Sequence, residues 1–232
     1  MITKHVFDGL NNVHAMKNIK AVIFDLDGTL ADSMWVWSKI DEEFFREKNI
    51  KMPETLNRDI EGMGFTETAE YFVKAFDLKE TAGEIKQRWN DLAMEIYKDR
   101  VPLKSGAMEF IKKLSGAGIK IGIATSNSNE LLDVFLDSKG LKPYIDAVTT
   151  CCDVKKSKPH PDVFITTAAK LGVAPENCLV FEDIPAGITA GKRAGMTVCA
   201  VADEYSAHLE GEKREKADYY IEDFTDDLLR EI

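Results

Sequence analysis

An α/β fold, in which a doubly wound and mostly parallel sheet carries an inserted helical domain, is predicted by three features of the 232-residue chain. Short β-branched and apolar runs recur along it, and helix-patterned segments lie between them. One interval, between the first run and the second, is far longer than the others.

The runs fall at residues 21–24, 119–124, 147–150, 178–181, 196–201 and, more weakly, 219–221. They are continuously apolar rather than alternating, the pattern of strands covered on both faces, as in parallel sheets. Between them, Phe110, Ile111 and Leu114 recur at helical spacing ahead of Gly116 and Gly118, residues 131–136 precede Gly140, and residues 163–171 end at Gly172. A glycine just past the last periodic residue is a helix stop.

More than eighty residues separate the first two runs, and none of them reads as strand. Trp35, Ile40, Phe44 and Phe45, and later Ala69, Phe72, Val73 and Phe76, carry helical patterning instead. We therefore expect a helical domain over residues 34–102, inserted into a core made of residues 16–33 and 103–232. Its stems lie near residues 32–34 and 100–105, where Pro102, Ser105 and Gly106 supply the irregular chemistry of a hinge. Met16 would be a natural start, which makes residues 1–15 an N-terminal extension peripheral to the fold. No internal repeat or low-complexity tract is present.

A hydrophobic content of 44% is ample for a sizeable core. The net charge of −10 argues against binding nucleic acid, because a phosphate backbone demands a basic face. Cys151, Cys152, Cys178 and Cys199 lack the spacing of a zinc site and read as reduced, buried thiols. No apolar stretch reaches the roughly 18 residues of a membrane span, and MITKHVFDGLNNVHA lacks the apolar run of a secretory signal. A cytoplasmic protein with no membrane partner is expected. Nothing marks a dimer face, so a monomer is the default.

The chemistry gathers where the runs end. The first stops at Phe24-Asp25-Leu26-Asp27-Gly28-Thr29-Leu30, with two carboxylates two residues apart where a buried strand passes into a loop. Charge is costly there, and ligands of open α/β sheets bind beyond the carboxyl ends of the strands. Asp27-Gly28 alone would be an ordinary turn. Its companions favour function: Thr125-Ser126-Asn127 after the second run, Lys158-Pro159 after the third, Glu182-Asp183 after the fourth. Acids, a hydroxyl and a lysine are what a site for a phosphoryl group and a divalent cation requires.

FDLDGTLADS, the hydroxyl of ATSN, the lysine of KSKPHPDVF and the acids of VFEDIPAGITAGKRAG resemble, in this order, the four motifs of the haloacid dehalogenase-like superfamily. The likeness covers nearly all of residues 19–203, and the insert after the first motif resembles the cap of its β-phosphoglucomutase-like branch. The resemblance implies a Rossmann-like core, Asp25 as a nucleophile that becomes an aspartyl phosphate, and Asp27 as general acid and base. It implies that Thr125, with Ser126 and Asn127 beside it, and Lys158 bind the phosphoryl group. Mg²⁺ would be held by Asp183, the Asp25 carboxylate and the Asp27 carbonyl, with Glu182 either a ligand or behind one. Asp32 and Ser33 also fit the first motif, but helix capping is the preferred role. Lys155 and Lys156 read as a solvated pair, and His160 as a loop or helix-entry residue.

A Mg²⁺-dependent phosphatase acting on a small phosphorylated metabolite, a sugar phosphate or a nucleotide-like phosphomonoester, is the reading this supports. Dehalogenases lack the second aspartate, and phosphonatases carry alanine there. A sugar phosphomutase is the enzymatic rival, but Trp37 falls where the mutase has a histidine, and Phe65 where its cap has an arginine gripping a second phosphate. The rival of another class is a non-catalytic binding or regulatory protein on the same fold. Trp35, Trp37, Phe65 and Trp89 are aromatic candidates for stacking on substrate, although packing is the commoner use of such residues.

Overall fold

The six apolar runs form strands β1 (Ala21–Phe24), β2 (Lys120–Ala124), β3 (Ala147–Thr149), β4 (Cys178–Glu182), β5 (Thr197–Val201) and β6 (Tyr219–Ile221). They were located in a computed structural model that describes residues 18–60 and 63–231. All pair in parallel, in the order β3-β2-β1-β4-β5-β6, as the fold class predicted. The ends move slightly: Ile119 and Met196 stay outside, Thr150 leads into a 3-10 turn, and β4 runs on through Glu182. The expectations for residues 1–15 and a start at Met16 lie outside the described residues.

Among the described residues four helices fill the long interval: α1 (Met34–Lys48), α2 (Leu56–Ile60), α3 (Phe65–Ala75) and α4 (Ala82–Asp99). The rest alternate with strands: α5 (Ala107–Gly116), α6 (Asn129–Ser138), α7 (Asp162–Leu171), α8 (Pro185–Arg193) and α9 (Glu210–Lys216). The two ends of the interval run side by side. Ala31 bridges Leu103 antiparallel, the Asp32 N–H donates to the Pro102 carbonyl at 3.0 Å, and the Lys104 N–H donates to Leu30 at 3.0 Å. α1–α4 thus leave the sheet and return to it at one place, beside the end of β1.

β1 is wholly buried, as two-faced covering requires. On one face Phe24 stacks on Phe181 at 5.2 Å, and Phe110 stacks on Phe224 at 5.7 Å. The same apolar cluster continues through Tyr97 and Val36 into Phe44, Phe72 and Trp89 of the helical insert. Cys178 and Cys199 are buried in strands, as expected, but Cys151 is half-buried and Cys152 exposed, because both sit on the turn after β3. All four thiols are free. Among the described residues no helix is long and apolar enough to cross a membrane.

Phe224 touches three other rings and reaches the cluster from the loop after β6. Phe224→Ala should lower stability by roughly 3–5 kcal/mol, read by denaturant titration, because the cavity it leaves is walled by rigid strands. A loss under about 1 kcal/mol would mean the last loop contributes little to the core.

Candidate active site

β1 ends at Phe24, yet the Asp25 N–H still donates to the Phe181 carbonyl at 3.0 Å, locking this residue to β4. The chain then folds back, with the Leu30 and Ala31 N–H groups donating to Leu26 at 3.0 and 2.8 Å. Gly28 makes the turn at φ 81°, and a Cβ there would lie 2.3 Å from Asp183 Oδ2. Only glycine allows both the positive φ and the close passage. Thr29 Oγ1 donates to Asp183 Oδ1 at 3.1 Å, tying the loop to the acidic end of β4.

Lys158 arrives from the loop before α7 and donates to Asp25 Oδ1 at 2.6 Å and to Glu182 Oε1 at 2.5 Å, all three side chains being buried. Burial opposes the lysine's charge, but Asp25 and Glu182 together hold its pKa above the ordinary value. Glu182 is held on its other oxygen by the N–H groups of Asp183 at 2.8 Å and Ile184 at 3.1 Å. Gly187 of α8 leaves room for it: a Cβ there would sit 1.7 Å from Glu182 Oε1.

Oxygens of Asp25, Glu182 and Asp183 lie within 4.8 Å of one another, and Asp183 Oδ2 is buried with no hydrogen-bond donor. Burial drives the Asp25 pKa up to about 7; Lys158 opposes the rise, and Glu182 and Asp27 add to it. Asp183 is pushed well above the usual carboxylate range by burial, then by Glu182 and Asp25. Three buried acids around one ammonium are short of positive charge. The orphaned oxygen and the all-oxygen donor set fit a hard divalent cation.

Asp27 faces a different set of partners. Its Oδ1 accepts from Ser33 Oγ at 2.6 Å and, very closely, from the Tyr97 hydroxyl, and its Oδ2 accepts from Asn127 Nδ2 at 3.1 Å. Trp37 also donates to it. Burial raises the Asp27 pKa, and these donors restrain the rise without cancelling it. Ser33 stands at the N-cap of α1, but the capping role expected of it is not what its hydroxyl does: it makes no cap hydrogen bond and turns to Asp27. Asp32 is exposed beside it and offers its carbonyl to the Trp35 indole N–H at 2.9 Å. Tyr97 was not legible as a site residue, since nothing local to α4 distinguishes it from a core aromatic.

Thr125 directly follows β2, with its N–H on the Thr149 carbonyl and its hydroxyl accepting from the Asn127 N–H at 3.0 Å. Thr125, Ser126 and Asn127 line the same cavity of about 560 Å³ as Asp25, Asp27, Lys158, Glu182 and Asp183, so every residue expected to act on the phosphoryl group or the metal reaches one space. Lys155, Lys156 and His160 are exposed, as anticipated.

A family model described as haloacid dehalogenase-like hydrolase matches residues 22–201. The chain belongs to that family. Hexitol phosphatase A of Escherichia coli is 32% identical over 78% of this chain and 82% of its own. Among solved structures, CbbY from Rhodobacter sphaeroides in complex with phosphate overlays with a TM-score of 0.81 at 22% identity, covering 90% of this chain and 96% of that one. β-Phosphoglucomutase from Clostridium difficile does so at 0.74 and 22%, covering 89% and 92%. At that identity the structural likeness is one of fold. As a family member the chain is an enzyme, and its phosphatase relative places it with the phosphoric monoester hydrolases.

The hydrolase's cavity has a far wall built by α1–α4. Trp37, Phe65 and Trp89 contribute to it, packed ring on ring at 5.6–6.0 Å, while Trp35 does not line it. Three charged residues of that wall were not foreseen, Asp41, Glu54 and Arg58. Arg58 is exposed on α2; Asp41 is buried on α1, and burial alone pushes its carboxyl up to about 7.

Two outcomes follow from this geometry. Gly187→Ala places a methyl inside the Glu182 carboxylate and should cost roughly 1–3 kcal/mol in thermal unfolding. Because the folded Asp41 prefers its proton, its cost to stability grows as pH rises from about 4 and is complete above about 7. Asp41→Asn should therefore raise the free energy of unfolding from denaturant titration at about pH 8, by at most about 4 kcal/mol, with the gain fading towards about pH 4. A gain that is equal at both pH values would contradict the burial of an ionised Asp41.

Proposed function

We propose that this hydrolase is a Mg²⁺-dependent phosphatase that cleaves a small phosphorylated metabolite, a sugar phosphate or nucleotide-like phosphomonoester, through an aspartyl phosphate on Asp25. The observation that carries the reading is the pairing of two acids in one cavity with different surroundings: Asp25 against an ammonium and the acid cluster, Asp27 among hydroxyl, indole and amide donors. The likeness to hexitol phosphatase A supports the phosphorylated-carbohydrate class.

An Asp25 carboxylate oxygen attacks phosphorus as the bond to the leaving oxygen breaks. Asp27, whose raised pKa favours the acid form, gives its proton to that oxygen and later takes one from the water that attacks the aspartyl phosphate. Lys158 orients Asp25 and meets the phosphoryl charge, with Thr125, Ser126 and Asn127 around the same oxygens. Asp25, Asp183 and the Asp27 carbonyl would hold Mg²⁺, which when bound offsets the repulsion between an anionic nucleophile and an anionic phosphoryl group. Glu182, engaged on both oxygens, acts from behind by fixing Lys158.

Residues 34–102 act as a cap over the core of residues 16–33 and 103–232, rocking on the paired stems at Ala31 and Leu103 to admit substrate. We read the enzyme as a cytoplasmic monomer acting on a diffusible substrate, without nucleic-acid or membrane partners. A phosphomutase is the second reading, because Arg58 gives the far wall a cation that could meet a second phosphate. Asp41 and Glu54 on that wall weigh against it.

Phosphate release from an aryl phosphate and from sugar phosphates and nucleotides tests the reading. Turnover should vanish in Asp25→Asn, fall by about 10²–10⁴ in Asp27→Asn, and stop in excess chelator until Mg²⁺ is restored. Undiminished turnover by Asp25→Asn would refute the covalent route. Turnover that survives chelation would remove the metal from it.

A further inference from the structure

The acid on the far wall has no structural employment. Among the described residues Asp41 accepts no hydrogen bond and forms no ion pair, and only burial shifts its pKa. The other buried aspartates and glutamate all have partners: Asp25 and Glu182 meet Lys158, Asp183 meets Thr29, and Asp203 meets Lys104 at 2.6 Å. Asp41 is only 9% exposed, and it faces the same cavity as Asp25. A carboxylate buried at a cost and left unpaired is complementary to a donor that arrives with a ligand.

Its neighbours on the wall narrow the ligand's chemistry. Ser38, Asn57 and Thr68 are neutral polar residues lining the same side. Trp89 lines it too, and its indole N–H is buried without an acceptor. An unpaired acceptor set among neutral polar side chains complements hydroxyl groups, each of which can donate one hydrogen bond and accept others. A second phosphate placed against Asp41 would meet like charge whenever that carboxyl is ionised.

We propose that Asp41 is a specificity-determining residue, accepting hydrogen bonds from the hydroxyls of a polyhydroxylated leaving group and disfavouring substrates that carry a second phosphate at that end. This rests on the phosphatase reading and narrows it from phosphomonoesters in general to those of neutral polyols and sugars. It also separates the chain from a bisphosphate-binding mutase despite Arg58.

The test compares wild type, Asp41→Asn and Asp41→Ala with Mg²⁺ on a hexitol phosphate, a ketopentose bisphosphate, an amino sugar phosphate and 4-nitrophenyl phosphate. The quantities read are ratios of kcat/KM within each protein, so that a general loss of folded enzyme cancels. The hexitol-to-aryl ratio should fall roughly 10- to 100-fold in Asp41→Ala and less in Asp41→Asn, whose amide oxygen still accepts. The bisphosphate-to-hexitol ratio should rise in both. Ratios within about twofold of wild type would overturn the proposal alone, leaving the phosphatase reading intact. Selective loss of the amino sugar phosphate would overturn the hydroxyl assignment in favour of an ammonium. Failure of wild type on all four compounds would bring down the phosphatase reading and this proposal with it.

Discussion

One buried ammonium, Lys158, makes the active edge of this sheet possible. Parallel strands send their carboxyl ends to the same side, and here β1 and β4 bring Asp25, Glu182 and Asp183 into one buried cluster at the floor of the cavity. Three carboxylates cannot share such a space as anions without compensation. Lys158 bridges two of them, while the backbone N–H groups after Glu182 and the Thr29 hydroxyl spread the remaining charge. What is left over, the orphaned Asp183 oxygen, is the place a cation would take. Gly28 and Gly187 are the steric counterpart of this arrangement, because each stands where any side chain would occupy the position of an acid.

Around that edge the helical insert is wired to the sheet through polar contacts as well as packed on it. Tyr97 and Trp37 come from the insert and both reach Asp27, while Ser128 on the core donates to Asn90 of α4 at 3.1 Å. Ser157, beside Lys158, donates to Glu67 of α3 at 2.7 Å. The contacts that restrain the Asp27 pKa come in part from α1 and α4, so the packing of the insert on the sheet and the proton affinity of Asp27 are physically linked. The insert stays rigid within itself because Phe44, Phe45, Phe72, Phe76 and Trp89 pack edge to face and tilted at 4.8–5.9 Å.

The two faces of the cavity follow different rules. On the sheet side every acid has a partner or a place in the acid cluster, and the chemistry is that of charge balanced at short range. On the insert side the wall is aromatic and sparsely charged, with Asp41 buried and Arg58 exposed. The cavity thus has two chemically distinct sides, charged at the strand ends and largely aromatic on the helices.

By itself the sequence determined the strands, the helix stops, the inserted helical segment and the motif residues, because each rests on local information. Apolar runs, glycine punctuation and the Asp25-x-Asp27 spacing act within a few residues of themselves, and strand ends converge wherever a parallel sheet forms. Tertiary structure alone decided the partners. Ser33 looked like a helix cap because serine favours that position locally, yet Asp27, an acceptor for its hydroxyl, lies within reach only after the loop folds back at Gly28. Tyr97, Arg58 and Asp41 come from helices whose faces look like ordinary amphipathic surface, and the exposed Cys152 from the turn just past the third strand. Whether an aspartate on a helix is solvated or buried against a cavity depends on the neighbour it packs beside, and that neighbour is set by contacts far apart in the chain.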